Sequence, residues 1–116
     1  MKKTIVTSFL IIFIFAFLET CKKDDLKNLD CSKVAATYSG SVKPLVASQC
    51  ATSSGCHGAG SSRGDYTTYG GLKAAADNGS LENKTLTDKS MPPSGALSLD
   101  DRKKIKCWLN SGSPNN

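Results

Sequence analysis

Cys56 and His57 stand side by side in Gln49-Cys50-Ala51-Thr52-Ser53-Ser54-Gly55-Cys56-His57-Gly58, and His57 is the single histidine of the chain. Two arrangements of these side chains make chemical sense. In one, Cys50 and Cys56 form a disulfide beside an ordinary histidine. In the other, the thiols fix a cofactor covalently and the imidazole ligates its metal. Met91 belongs to the same question. It heads Met91-Pro92-Pro93-Ser94-Gly95, where proline rigidity can hold a thioether toward a metal. A lone methionine also serves as a core filler.

The covalent arrangement has a defined order. The c-type haem attachment signature is C-x-x-C-H. Two thiols add across the haem vinyl groups as thioethers, and the histidine after the second Cys projects its imidazole onto the iron. Here the spacing is C-x5-C-H, three residues longer. Thr52, Ser53, Ser54 and Gly55 are small or flexible, so they can loop out while both sulfurs stay near the porphyrin edge. Attachment through both cysteines and attachment through Cys56 alone are both open. Without Met1, Met91 is the one remaining methionine. A His and a Met are the axial pair of a cytochrome c iron.

The pattern around these residues is helical. Val42, Leu45, Val46 and Cys50 fall on one helical face, with Ser41 as the expected cap and Pro44 tolerated in the first turn. Residues 51–64 are rich in Gly and Ser and read as loop. Thr67 or Thr68 can cap a short helix carrying Tyr69, Leu72, Lys73 and Ala76, closed by Asn78-Gly79. Leu81 and Leu86 suit a further short turn of helix. The Met91-Pro92-Pro93 segment can be neither helix nor central strand. Ser98 starts a last helix, with Asp101 completing a near capping box; Ile105, Trp108 and Leu109 face inward and Gly112 stops it. No strand-like alternation occurs, so the expected class is all-α with long loops.

The N-terminus reads as an export signal. Lys2 and Lys3 precede a nearly unbroken apolar run over 5–18. Such a run is short for a membrane span and fits a signal-peptide core. An uncleaved anchor is the other arrangement. Cys21 ends the segment Leu18-Glu19-Thr20-Cys21, which resembles a bacterial lipoprotein cleavage box. That resemblance implies a leader over 1–20, a lipidated polar tether over 21–32 and a folded domain over 33–116. Acyl chains on Cys21 would hold the protein to a membrane of the cell envelope, where disulfides persist.

The whole chain has 116 residues, with 15 Lys plus Arg against 10 Asp plus Glu. That is one modest domain, and it excludes a large two-domain enzyme. So small a core usually needs a staple, and five cysteines point the same way. Arg102-Lys103-Lys104 with Lys106 is either the solvated face of the last helix or a docking patch for an acidic redox partner. No aromatics interleave with the basic residues, so nucleic-acid binding has no support.

Several blocks together resemble a family. They are Val42-Lys43-Pro44-Leu45, Gly55-Cys56-His57-Gly58, Tyr69-Gly70-Gly71-Leu72-Lys73, Met91-Pro92-Pro93-Ser94-Gly95, Ile105-Lys106-Cys107-Trp108-Leu109 and the Gly112-Ser113-Pro114-Asn115-Asn116 tail. From about residue 38 to 116 the chain is similar to the class I cytochrome c domain of small envelope lipoproteins of Bacteroidetes and related bacteria. The resemblance implies one haem c, held covalently by Cys50 and Cys56, with His57 as proximal and Met91 as distal iron ligand. It implies a helical domain around that haem, walled by Leu45, Val46, Tyr69, Leu72, Leu97, Ile105 and Trp108, although each of these also suits plain core. The implied role is single-electron transfer between redox partner proteins, not enzymatic turnover. A haem peroxidase needs an open iron site with acid–base groups beside it, and the only histidine is already used. The alternative function is a haem-free, disulfide-stapled lipoprotein acting as a binding or structural module. With Cys21, Cys50 and Cys56 assigned, Cys31 and Cys107 remain, and they are expected to pair in a disulfide.

Overall fold

The computed structural model describes residues 26–116. The expected leader over 1–20, the lipidation site Cys21 and the first part of the tether lie outside the described residues. All regular structure among the described residues is helical, in keeping with an all-α class. No helix among them is long and apolar enough to cross a membrane.

The first helix begins earlier than its sequence pattern suggests. Thr37, not Ser41, is the cap: its hydroxyl accepts the N–H of Gly40 at 3.2 Å. The Ser41 hydroxyl instead donates to the Ala35 carbonyl at 2.7 Å. The opening turn, Tyr38–Val42, is wide, and the N–H groups of Val42 and Lys43 reach back five residues to Thr37 and Tyr38. It continues into α1, Lys43–Gln49, where Pro44 occupies the first turn and needs no N–H partner. Val42, Leu45, Val46 and Cys50 are buried as their spacing requires.

α2 spans Tyr69–Asp77 and is capped by Thr68, whose hydroxyl accepts from Gly71 N–H at 3.1 Å. A Cβ on Gly71 would lie 1.7 Å from the Asp65 carbonyl oxygen, so only glycine lets α2 start directly on the preceding loop. Asn78 and Gly79, the latter at φ +76°, close the helix. α2 buries Leu72 and Ala75; Tyr69 and Ala76 are half-buried against the core. α3, Ser80–Glu82, runs straight into a second wide turn, Asn83–Thr87, burying Leu81 and Thr85.

α4 spans Leu99–Asn110. Ser98 caps it, accepting from Asp101 N–H at 3.1 Å while donating its own proton to the Asp101 carboxylate at 2.8 Å. At the far end Gly112, at φ +88°, donates to Leu109 and Ser113 donates to Trp108. Those two bonds make a Schellman closure. α4 buries Ile105 and Trp108 as expected, and Arg102 and Cys107 as well. Leu109 is only half-buried.

Trp108 lies at the centre of the core. Tyr38 stacks on it at 6.0 Å and meets Tyr69 edge-on at 5.1 Å. The Trp108 indole N–H donates to the Pro114 carbonyl at 2.9 Å, and the Tyr69 hydroxyl donates to Ser113 at 3.0 Å. Asn116 takes the N–H groups of Tyr38 and Ser39. The tail is thereby folded back across the starts of the first two helices. Cys31 and Cys107 form the expected disulfide, with their Cα atoms 5.4 Å apart. It ties the arm preceding the first helix to α4.

The basic run of α4 is not a stripe of open charge. Arg102 is buried and its Nε donates to Leu97 at 3.0 Å. Lys104 pairs with Asp100 and Asp101, and Lys106 pairs with Glu82 at 2.6 Å. Neither a fully solvated face nor a uniform cationic patch describes it.

Candidate functional site

Cys50 ends α1, and the chain then makes a tight loop back to it. The N–H groups of Cys56 and Gly58 both donate to the Ser53 carbonyl, at 3.0 and 2.8 Å. His57 N–H donates to the Cys50 carbonyl at 3.1 Å. The extra residues between the cysteines are looped out, and the Cys56-His57 pair returns to the end of α1. Gly58 is required for this path, since a Cβ there would lie 2.6 Å from the Ser53 backbone.

The loop 57–66 then fixes the imidazole. His57 Nδ1 lies 3.2 Å from the Gly64 carbonyl oxygen. A carbonyl only accepts, so Nδ1 is the donor in this contact, which leaves Nε2 as the ring nitrogen available to a ligand. Tyr66 stacks flat on the imidazole, with centroids 4.0 Å apart and planes 2° apart. Tyr66 N–H returns to the His57 carbonyl at 2.8 Å. The Asp65 carboxylate accepts from the hydroxyl and N–H of Thr67 and then from Gly60 N–H, and these bonds hold its own pKa below the ordinary carboxylate value.

Met91 comes from the other side. Its N–H donates to the Lys84 carbonyl at 3.1 Å, which docks the start of the proline loop on the turn Asn83–Thr87. Gly95 N–H donates to Pro92 and closes that loop on itself.

These pieces line one open cavity of about 380 Å³, with Cys50, Cys56, His57 and Met91 all on its lining. That volume falls within the roughly 300–1,000 Å³ usual for small-molecule and cofactor sites. Tyr66, Leu81, Thr85, Pro92 and Pro93 are also on its lining, as are Arg63 and Lys84; the Lys84 ammonium pairs with Asp88 at 3.3 Å. The residues expected as the haem wall, Leu45, Val46, Tyr69, Leu72, Leu97, Ile105 and Trp108, belong to the core behind it. Helical periodicity marks burial, and it does not say which buried face borders a cavity. Sequence reasoning missed Tyr66, Leu81 and Thr85 as lining residues. The Asp-Tyr-Thr-Thr cap preceding α2 was a signal for Tyr66; Thr85 carried none.

The two thiols remain separate in the structure. They differ chemically. Burial first, then the neighbouring Cys56, pushes the Cys50 thiol up to about 11. Hydrogen bonds from Ser53 and then Thr52 lower the Cys56 thiol below its ordinary value. Burial, and then Cys50, raises the Tyr66 phenol.

The donor set fits haem c. Two unpaired thiols, an imidazole with a free Nε2 and a thioether share one largely apolar space. The partner on Nδ1 is the usual device for orienting a ligating imidazole. No cluster of three His, Cys, Asp or Glu side chains suited to a metal occurs among the described residues. No family model matches the chain, and neither a curated protein nor a solved structure matches it.

Proposed function

We propose that the protein is a monohaem c-type cytochrome of the class I kind that carries single electrons in the cell envelope. The observation that supports it is the convergence of Cys50, Cys56, His57 and Met91 on one cavity. Cys50, Cys56 and His57 come from one looped segment and Met91 from the proline loop 34 residues after His57, so the two segments meet at one cavity.

On this reading Cys50 and Cys56 would hold the haem as thioethers, and His57 Nε2 and Met91 Sδ would ligate its iron. Bound haem supplies an iron that cycles between ferrous and ferric. The chain does the rest. Gly64 fixes the ring of His57. The Lys84 carbonyl and the prolines fix Met91. Leu81, Tyr66 and Pro92 exclude water from the apolar faces. With His57 and Met91 both committed to the iron, the chain would leave no place for a substrate there, and the proposed role is electron transfer with partner proteins. Cys21 is proposed as the lipid anchor, with residues 1–20 removed on export.

A haem stain of the denatured protein on a gel tests the central claim, after expression with haem-attachment machinery. Covalent haem with a low-spin reduced spectrum supports it. A colourless protein favours the haem-free stapled module, for which the Cys31–Cys107 bridge serves equally well. Cys21→Ser tests the anchor. It should yield uncleaved precursor or soluble protein, and unchanged size and membrane partitioning would remove lipidation from the account.

A further inference from the structure

The wide turn Asn83–Thr87 lies against the cavity, and its hydrogen bonding departs from that of a regular helix. In an α-helix the Asp88 N–H would bond the Lys84 carbonyl. Here it reaches one residue further, to Asn83, at 2.8 Å. The Lys84 carbonyl accepts the N–H of Met91 at 3.1 Å. The widened register thus gives a helix carbonyl to the loop that carries the thioether.

Thr85 sits at the centre of this turn. It is 2% exposed, it lines the cavity, and its hydroxyl donates to the Leu81 carbonyl at 2.7 Å. Valine would fill the same volume without a polar atom, so packing alone does not call for threonine. Back-bonding of a threonine hydroxyl to the carbonyl four residues earlier bends or opens a helical turn. Wide turns of this type occur frequently at functional sites.

We infer that Thr85 is a positioning residue for Met91, acting through the Leu81 bond that holds the wide turn and thereby the Lys84–Met91 contact. The inference rests on the cytochrome reading. Loss of the hydroxyl loosens the turn, the Met91 N–H loses its fixed acceptor, and the thioether is no longer held at the iron. The haem itself stays attached, because Cys50, Cys56 and His57 belong to other segments.

The test uses the holoprotein and reads carbon monoxide affinity of the ferrous form together with the ferric spin state. Thr85→Val should raise carbon monoxide affinity by about tenfold or more, the scale on which residues supporting a ligand usually act. It should also add a high-spin ferric component. Thr85→Ser keeps the hydroxyl and should restore the parent's behaviour. Thr37→Ala removes the cap of the first helix, which is not on the cavity lining. It should lower the unfolding temperature and leave carbon monoxide affinity alone, which separates positioning from general loosening. Should Thr85→Val give no holoprotein, Thr85→Ala is read in the same way. Parent-like affinity in the hydroxyl-free variant overturns the inference, and so does a serine variant that shifts as far as valine. If the parent carries haem and Met91→Ala opens the site, such a result leaves the cytochrome reading standing. A parent without covalent haem ends both.

Discussion

His57 Nδ1 donates to the carbonyl of Gly64, seven residues along the chain, at 3.2 Å. This bond commits Nδ1 as a donor and holds the ring. It depends on an unusual backbone. Gly64 has φ +103°, and a Cβ there would lie 3.0 Å from the Tyr66 ring, which itself stacks on the imidazole. Gly64→Ala is therefore expected to cost about 1–3 kcal/mol, or a drop of several degrees in thermal unfolding. The imidazole should also lose its fixed orientation, seen as a broadened Nδ1 proton resonance. An unchanged unfolding midpoint would contradict the strained-turn account.

Met91 lines the same cavity as His57. Met91→Ala leaves its cavity lining and its docking carbonyl on Lys84 in place but removes the sulfur. The ferrous protein should then bind carbon monoxide, and the midpoint potential should fall, because thioether ligation favours the ferrous state. Spectroelectrochemical titration of parent and variant decides the matter. Equal potentials and equal spin states would show that Met91 is not an iron ligand.

Much of the helical framework around this cavity was legible in the sequence, for physical reasons that differ by residue. Leu45, Val46 and Cys50 keep a strict helical period, so their burial followed directly. Thr68, Ser98 and Gly112 act through local chemistry that a few residues encode. Tyr38 and Thr37 were not legible as the start of the first helix. A turn that bonds five residues back breaks the 3.6-residue period, and its cap sits where no periodic signal begins. Thr85 and Arg102 are buried polar side chains that donate to backbone carbonyls four and five residues earlier, Leu81 and Leu97. No local pattern announces that. Gly71 was noted only within a quoted motif. Its necessity comes from the Asp65 carbonyl lying where its Cβ would be.

The two site thiols should differ sharply in the chain made without haem attachment. With Cys50 pushed up to about 11 from 9.0, its thiolate fraction near pH 8 falls about 100-fold below that of an ordinary cysteine. Cys56 is lowered and more accessible. Timed alkylation with peptide mapping should label Cys56 first by at least that factor. Stability follows the same asymmetry. A raised thiol pKa favours the neutral form in the folded chain, so its contribution is whole below pH 9 and is lost as pH rises toward 11. Two units correspond to about 2–3 kcal/mol. Tyr66 and Tyr38, also raised by burial, add to the loss at the alkaline end. Cys50→Ala should flatten the pH 9–11 part of the unfolding curve. Equal alkylation rates for both cysteines would defeat the burial argument.

The Cys31–Cys107 bridge links residues 76 apart and so closes most of the folded chain into one loop. Chain entropy for a loop of that length gives about 4.5 kcal/mol, with about 2–4 kcal/mol typical of real bridges. A small domain has only about 5–15 kcal/mol in total. The bridge matters locally too. Cys107 precedes Trp108, whose indole closes the tail through Pro114. Cys31 holds the short capped turn of the N-terminal arm against the same helix. Cys31→Ser paired with Cys107→Ser should lower the unfolding free energy by about 2–4 kcal/mol. The cavity residues should be unaffected, because none of them lies on α4 or the arm. The expected result is a marked fall in denaturant midpoint with an unchanged visible spectrum and potential in the haem-loaded protein. Non-reducing peptide mapping of the parent supplies the direct check. Cys31 and Cys107 recovered as separately alkylated peptides, or either joined to Cys50 or Cys56, would remove the bridge from the account. The second of these results would also leave too few thiols for the haem.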